Sequence, residues 1–229
     1  EYNKVDKAVY LVNKLREGLD IAVITDAGTP GISDPGEELV KMAYEAGIEV
    51  TSLPGACACV TALTLSGLST RRFVFEAFLP PDKKEHKLAL ERLKNETRTM
   101  IVYEAPHHLL KTLRELLETL GNRRLTLCRE LTKKHETAWQ TTIEDAITRY
   151  EQEDPKGECV LVIEGRSQKE IEDEAKAAFE EISIEEHMKR YEDQGIARKE
   201  AMKLVAKDRG VTKRDIYQYL LGKESYNDF

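Results

Sequence analysis

Two short stretches carry the residue types that a ligand-binding loop needs. In VITDAGTPGISDPGEEL, residues 23–39, an apolar run ends at Asp26 and enters a loop holding Gly28, Gly31, Gly36, Pro30, Pro35 and Asp34. Glycines remove side chains so that backbone can approach a ligand closely, and prolines fix φ and reduce the entropy lost on ordering. The chemistry on offer is a backbone surface with one carboxylate, Asp26, at a strand end. Neither the Walker spacing G-x-x-x-x-G-K-[ST] nor G-x-G-x-x-G is present, so the loop is not a phosphate loop or a dinucleotide fingerprint. The second stretch, PGACACVTAL (54–63), packs six small residues into ten positions, as a helix must where a planar ligand or another backbone lies against it. Taken singly, a tight strand-to-helix turn and close helix–sheet packing explain these loops. Two bare loops leaving consecutive strand ends point to a site, because open α/β sheets bind ligands beyond the carboxyl ends of their strands.

The elements that must position these loops follow from periodicity. Val5, Ala8, Val9, Val12 and Leu15 recur at helical spacing before Gly18, predicting a helix over 2–17. IAVIT (21–25) reads as a short buried strand. Asp34 caps the next helix, with Pro35 at its first position and Glu37 three residues after the cap, and that helix runs to about Ala46. IEVTSL (48–53) is the next predicted strand. Strands follow at 72–78, 98–104, 124–130 and over ECVLVIEG, with ETAWQ extended after the third. The intervening helices are KEHKLALERLKN, a leucine-striped helix from Pro106 to Gly121, and 142–151. Such alternation indicates an α/β fold with at least part of each sheet parallel.

After Gly165 the character changes. Residues 166–181 are acidic and lack β-branched residues apart from Ile171, reading as a linker or a solvated helix. Ser183 with Glu186 and Thr212 with Asp215 resemble capping boxes around three short helices, a helix-turn-helix-like module. Charge divides the same way. Residues 166–193 carry ten acids against five bases, whereas 195–223 carry eight bases against three acids. The net charge of -7 argues against a chain that coats nucleic acid, but leaves a local basic surface at the C-terminal end. The four cysteines form no C-x-x-C pair, so no zinc or dithiol site is expected and they read as reduced core fillers. No run approaches the roughly 20 apolar residues of a membrane span, and the first residues have the wrong order of charge for a secretory signal. The expected location is cytoplasmic.

DAGTPGISDPG, PGACACVTALTLSGL, FEAFLP, YEAPHH, RELTKKHE and GECVLVIEG occur in this order, and together they resemble the tetrapyrrole methylase superfamily over essentially the whole chain. More narrowly they are similar to its ribosomal RNA branch, which moves a methyl group from S-adenosylmethionine to the ribose 2′-hydroxyl of a cytidine in 16S RNA of the small subunit. The resemblance implies two α/β domains with a donor cleft between them plus a small C-terminal helical module. The divisions are 1–70 for the remainder of the N-terminal domain, 71–165 for the second domain, 166–182 for the linker and 183–229 for the module. Family members begin with a strand, a P-x-G-N loop and an A-E-D-T-R segment ahead of this chain's first helix, so the sequence reads as lacking that front segment.

The resemblance also assigns roles. Asp26, Ala27, Gly28, Thr29 and Ile32 match the first donor-binding loop, and Cys57 and Ala58 the second. Tyr103 and Glu104 match a strand end in the second domain, and Leu131 and Gly157 later contacts. Methyl transfer to a ribose hydroxyl demands alignment and a proton acceptor. Lys133 and Arg129 are expected to position phosphate or ribose, and Glu136 or His107 to accept the proton, with Glu104 and Glu130 among the candidate groups. His108 stands where relatives usually have arginine. Arg198, Lys199, Lys203, Lys213 and Arg214 are expected to grip RNA phosphates. Tyr217 and Tyr219 fall on different faces of their helix, which does not support a stacking platform there. A homodimer acting on ribosomal RNA or the assembled small subunit is the leading expectation. A tetrapyrrole acceptor on the same scaffold and a non-catalytic RNA-binding scaffold are the competing ones.

Overall fold

The computed structural model describes residues 3–33 and 36–224 and divides them into two compact units, Glu1–Gly165 and Arg166–Phe229. The first unit contains helices α1 (Asn3–Arg16), α2 (Glu37–Glu45) and α3 (Ala58–Leu65). These precede strand β1 (Phe73–Phe78), helix α4 (Lys83–Lys94), strand β2 (Thr99–Glu104) and helix α5 (Leu109–Leu120), which a 3-10 turn over Pro106–His108 introduces. Strands β3 (Arg124–Arg129) and β4 (Thr137–Thr142), helix α6 (Ile143–Tyr150) and strand β5 (Cys159–Ile163) complete it. The expected α/β class is observed.

The five strands form one sheet in the order β1-β2-β5-β3-β4. Only β1 and β2 are parallel; the other neighbours run antiparallel. Period-2 alternation sends Met100, Val102, Leu125, Leu127, Leu161 and Ile163 to the face covered by α4, α5 and α6. Ile101, Cys128, Val160 and Val162 go to the opposite face, under Cys59, Ala62 and Leu63 of α3. Both faces of β5 are covered, which is why CVLVI is apolar at every position. The small residues of α3 let it lie close on the sheet. At its C-terminal end the Ser66 carbonyl accepts hydrogen bonds from Thr126 Oγ1 at 3.0 Å and Gln140 Nε2 at 3.2 Å.

Two predicted strands are not formed. Residues 21–25 and 48–53 carry no ladder, and Ile24 and Leu53 are 86% and 83% exposed. Apolar β-branched runs favour a strand only where a partner accepts their backbone hydrogen bonds, and no partner occurs among the described residues. The predicted cap at Asp34 and first-turn Pro35 lie outside the described residues; Gly36 precedes α2. Ala8 and Val12 of α1 are buried, as is Ala43 of α2, and the two helices pack together.

The second unit holds α7 (Gln168–Glu180), α8 (Ile184–Glu192), α9 (Arg198–Arg209) and α10 (Lys213–Glu224). The acidic stretch is an ordered helix. A reciprocal capping box between Ser167 and Glu170 starts it, satisfying two otherwise orphaned N–H groups. The Thr212–Asp215 box also closes in both directions, and Ser183 Oγ accepts from Glu186 N. Met188, Ala201, Val205, Ala206 and Ile216 form the buried cluster. Beside it His187, 2% exposed, stacks on Phe179 at 4.3 Å and pairs through Nε2 with Asp208 at 3.2 Å.

Candidate functional site

The two bare loops meet. Thr29 N–H and Thr29 Oγ1 both donate to the carbonyl of Ala56, at 2.9 and 3.0 Å. Gly28 adopts φ +83°, and a Cβ there would stand 3.2 Å from that same carbonyl oxygen. A Cβ on Gly55 would stand 2.9 Å from Thr29 Oγ1. The glycines are therefore required for one loop to lie against the other, and the joined loops form one wall of a cavity of about 370 Å³. That volume lies near the lower end of the roughly 300–1,000 Å³ typical of small-molecule sites.

The facing wall comes from the ends of β2, β3 and β5. Tyr103 presents its hydroxyl, which accepts a hydrogen bond from Cys59 N–H at 2.9 Å and so ties β2 to the first turn of α3. Burial, followed by the charges of Cys59 and Cys57, pushes the Tyr103 phenol above its ordinary value, so it stays protonated near neutrality. Cys57 Sγ lies 3.3 Å from Cys59 Sγ. Burial and that neighbour push the Cys59 thiol up to about 11, which keeps it a thiol and a poor nucleophile.

Beyond β3 the chain makes a strained turn. Glu130 and Thr132 both take left-handed φ, 49° and 64°, a conformation that costs a non-glycine residue roughly 1–2 kcal/mol. The turn is braced from within. Lys133 N–H donates to Glu130 O at 2.9 Å, Lys133 Nζ sits 3.1 Å from Glu130 Oε1, and Thr132 N–H donates to Glu136 Oε2 at 2.6 Å. Gly157, at φ +75°, leaves room for the Glu130 side chain, whose carboxylate would overlap any Cβ placed there. Strain held at a cavity wall by several internal bonds is a recurrent feature of functional loops.

The structure brings together most of the residues expected at the donor: Asp26, Ala27, Gly28, Thr29, Ile32, Cys57, Ala58, Tyr103 and Leu131, with Lys133 beside them, all line this cavity. Glu104 does not line it. Its register partner is Cys159, on the opposite face of the sheet, where Glu104 accepts from Thr112 Oγ1 at 2.6 Å and Ala105 N–H at 2.8 Å. Arg129 also pairs with Cys159, lies on that face near Tyr150 and is not among the residues lining the cavity. Alternation along a strand separates neighbours in sequence, and Tyr103–Glu104 and Arg129–Glu130 are such neighbours. His107 is exposed against His108 at 4.2 Å, away from the cavity. Glu136 braces its own turn, and Gly157 acts from behind Glu130. Thr61, Phe78, Glu130, Thr132, Glu158 and Val160 also line the cavity. Val160 was accessible from the sequence, because its strand alternates with Cys159.

In the second unit Arg198, Lys199, Lys203 and Arg214 are exposed and Lys213 is half-buried, with Lys203 paired to Glu200 at 2.8 Å. Among the described residues no group of His, Cys, Asp and Glu is arranged to hold a metal ion, and no helix is long and apolar enough to cross a membrane.

The sequence profile described as Tetrapyrrole (Corrin/Porphyrin) Methylases matches residues 1–147. A ribosomal RNA small subunit methyltransferase I of Halalkalibacterium halodurans is 46% identical over 217 residues, covering 95% of this chain and 74% of the relative. The protein of the same name from Synechocystis sp. is 42% identical, covering 98% of this chain and 79% of its own length. That from Escherichia coli O157:H7 is 38% identical, covering 98% and 77%. The crystal structure of the methyltransferase CobJ superposes with a TM-score of 0.55 at 20% identity over 71% of each chain, a likeness of fold.

Proposed function

Because the chain belongs to the tetrapyrrole methylase family, alongside the ribosomal RNA small subunit methyltransferases I, we propose that it methylates the 2′-hydroxyl of a cytidine ribose in 16S ribosomal RNA of the small subunit, with S-adenosylmethionine as donor. The observation that carries this reading is the cavity formed where the two bare loops lock together opposite Tyr103 and Leu131. The residues present suit the donor. Asp26 is a carboxylate for its ammonium or hydroxyl hydrogens, and loop carbonyls and small side chains admit a flat base. The first-turn N–H groups of α3 are free of intrahelical acceptors and suit the donor's carboxylate, Cys59's being held by Tyr103. When bound, the donor supplies a sulfonium methyl for in-line attack by oxygen.

What the chain itself contributes is alignment and a proton acceptor. Fixing nucleophile and electrophile in line supplies up to about 7–11 kcal/mol, and a positioned base about 10²–10⁴-fold. Three carboxylates line the cavity, Asp26, Glu130 and Glu158. Glu130 is the one both half-buried and held in place, between Lys133 and Gly157, and it is the proton acceptor in this reading. Arg198, Lys199, Lys203, Lys213 and Arg214 supply RNA phosphate contacts, which position without reading sequence. The same reading takes the protein to be a cytoplasmic homodimer.

The test is transfer of tritiated methyl from the donor to small ribosomal subunits, with porphyrin precursors offered in parallel. Label in the RNA supports the assignment, and Glu130→Gln is expected to lower kcat by roughly 10²-fold or more with donor affinity kept. Label found only in the porphyrin precursor would reject it.

A further inference from the structure

Phe78 lines the cavity but lies outside the two loops matched to the donor. It ends β1, the edge strand of the sheet, and is 46% exposed. Along a regular strand Phe75 and Phe78, three residues apart, would point to opposite faces. They do not. A bulge shifts the register between Phe75, opposite Ile101, and Ala77, opposite Val102, with Ala77 at φ 54°. Phe78 is thereby brought opposite Tyr103, and both phenylalanine rings meet the Tyr103 ring edge-on, at 5.0 and 5.6 Å. A bulge beside a site commonly re-aims a side chain, and here it turns an aromatic ring toward the cavity wall.

Phe78 also belongs to the lining of a second, larger cavity of about 1,060 Å³ that runs between α4 and α5. Lys83, Lys87 and Lys94 line this groove. Their spacing places them on one stripe of α4, spread over about 16 Å of its axis, and among the described residues they form no ion pair. Of the groove's four acids, Glu104 is engaged by Thr112 and Glu115 by His86 and Lys111, while Glu91 and Glu118 line it beside the lysines. The ring is thus the shared rim between the cavity of about 370 Å³ and a groove whose three lysines without an ion pair outnumber its two such glutamates.

We propose that Phe78 stacks on the base of the nucleotide to be methylated, with the α4–α5 groove taking the adjoining RNA backbone. Sequence-specific RNA recognition targets single strands whose unstacked bases lie on aromatic faces. The inference rests on the proposed ribose methyltransferase reading.

The experiment compares wild type with Phe78→Ala, Phe78→Leu and Phe78→Tyr, measuring S-adenosylhomocysteine affinity by calorimetry and methyl transfer to small ribosomal subunits. The Tyr variant keeps a flat face, whereas Leu keeps only apolar bulk. Ala and Leu are expected to lower kcat/KM for RNA by about 5- to 150-fold, the range for one base on one aromatic ring. Tyr stays near wild type, and the loss in RNA methylation by Ala and Leu exceeds any loss of donor affinity. Wild-type transfer by Phe78→Leu, or a parallel loss of donor affinity, would overturn this inference alone. A wild-type protein that binds the donor and labels no RNA would overturn the functional reading and this one with it.

Discussion

Replacing Gly28 by alanine probes the loop junction with a built-in control. At φ +83° an alanine costs roughly 1–2 kcal/mol more than glycine. Its methyl group would also stand 3.2 Å from the Ala56 carbonyl oxygen, the acceptor that Thr29 uses twice. The loops can relieve this only by parting, which opens the cavity wall. If the cost falls on ligand binding, donor affinity weakens by about 5- to 30-fold. If it falls on the fold, the melting midpoint drops by roughly 2–8 °C for a protein of this size. Gly18 provides the control, since its φ is +91° but nothing lies within 4 Å of a Cβ there. Gly18→Ala therefore carries the backbone cost without the steric clash. Calorimetry with S-adenosylhomocysteine and thermal melts on both variants separate the two. The expected result is a weakened Kd for Gly28→Ala alone. Equal weakening by Gly18→Ala, or wild-type affinity and stability in Gly28→Ala, would refute the argument that the junction shapes the site.

Asp26→Ala should weaken donor binding while RNA affinity, followed by filter binding, stays unchanged; equal loss of both would show the loop serves the RNA. Charge reversal at Lys199 and Arg214 should reduce the slope of log K against log salt by about 1 for each RNA phosphate no longer neutralised, measured by anisotropy with a small-subunit RNA fragment. Burial, then the charge of Arg209, holds the His187 imidazole below its ordinary value, with Asp208 opposing. The unfolded chain accordingly takes up this proton first, near its ordinary pKa of about 6.5. Stability should fall as the pH drops below that value and level off once the folded group also protonates. Above it the group adds no pH dependence. Melts between neutral and mildly acidic pH should show this slope flattened in His187→Gln.

Much of the architecture was legible because alternation and stripes are local. The leucines of α5 and the apolar runs of β2, β3 and β5 announce their faces directly, and the two glycine-rich loops announce a close approach. What stayed hidden depends on partners distant in sequence. IAVIT and IEVTSL have strand composition but no ladder. The bulge that turns Phe78 follows from its pairing with β2, which no local pattern encodes. Glu104 and Arg129 were grouped with Tyr103 and Leu131 as segments, although strand alternation sends them to the other side of the sheet. The acidic stretch was readable as a helix from Ser167 and Glu170, a capping box masked by its charge. His187 gave no signal, because its burial depends on Phe179 and Arg209 arriving from two other helices, α7 and α9.

The most direct measurement is a crystal structure of the protein with S-adenosylhomocysteine bound. The account predicts the nucleoside and its amino-acid tail between the Thr29–Ala56 junction and Tyr103, with Glu130 facing the open side. Density for the ligand in the α4–α5 groove or elsewhere, with that junction empty and unchanged, would contradict it.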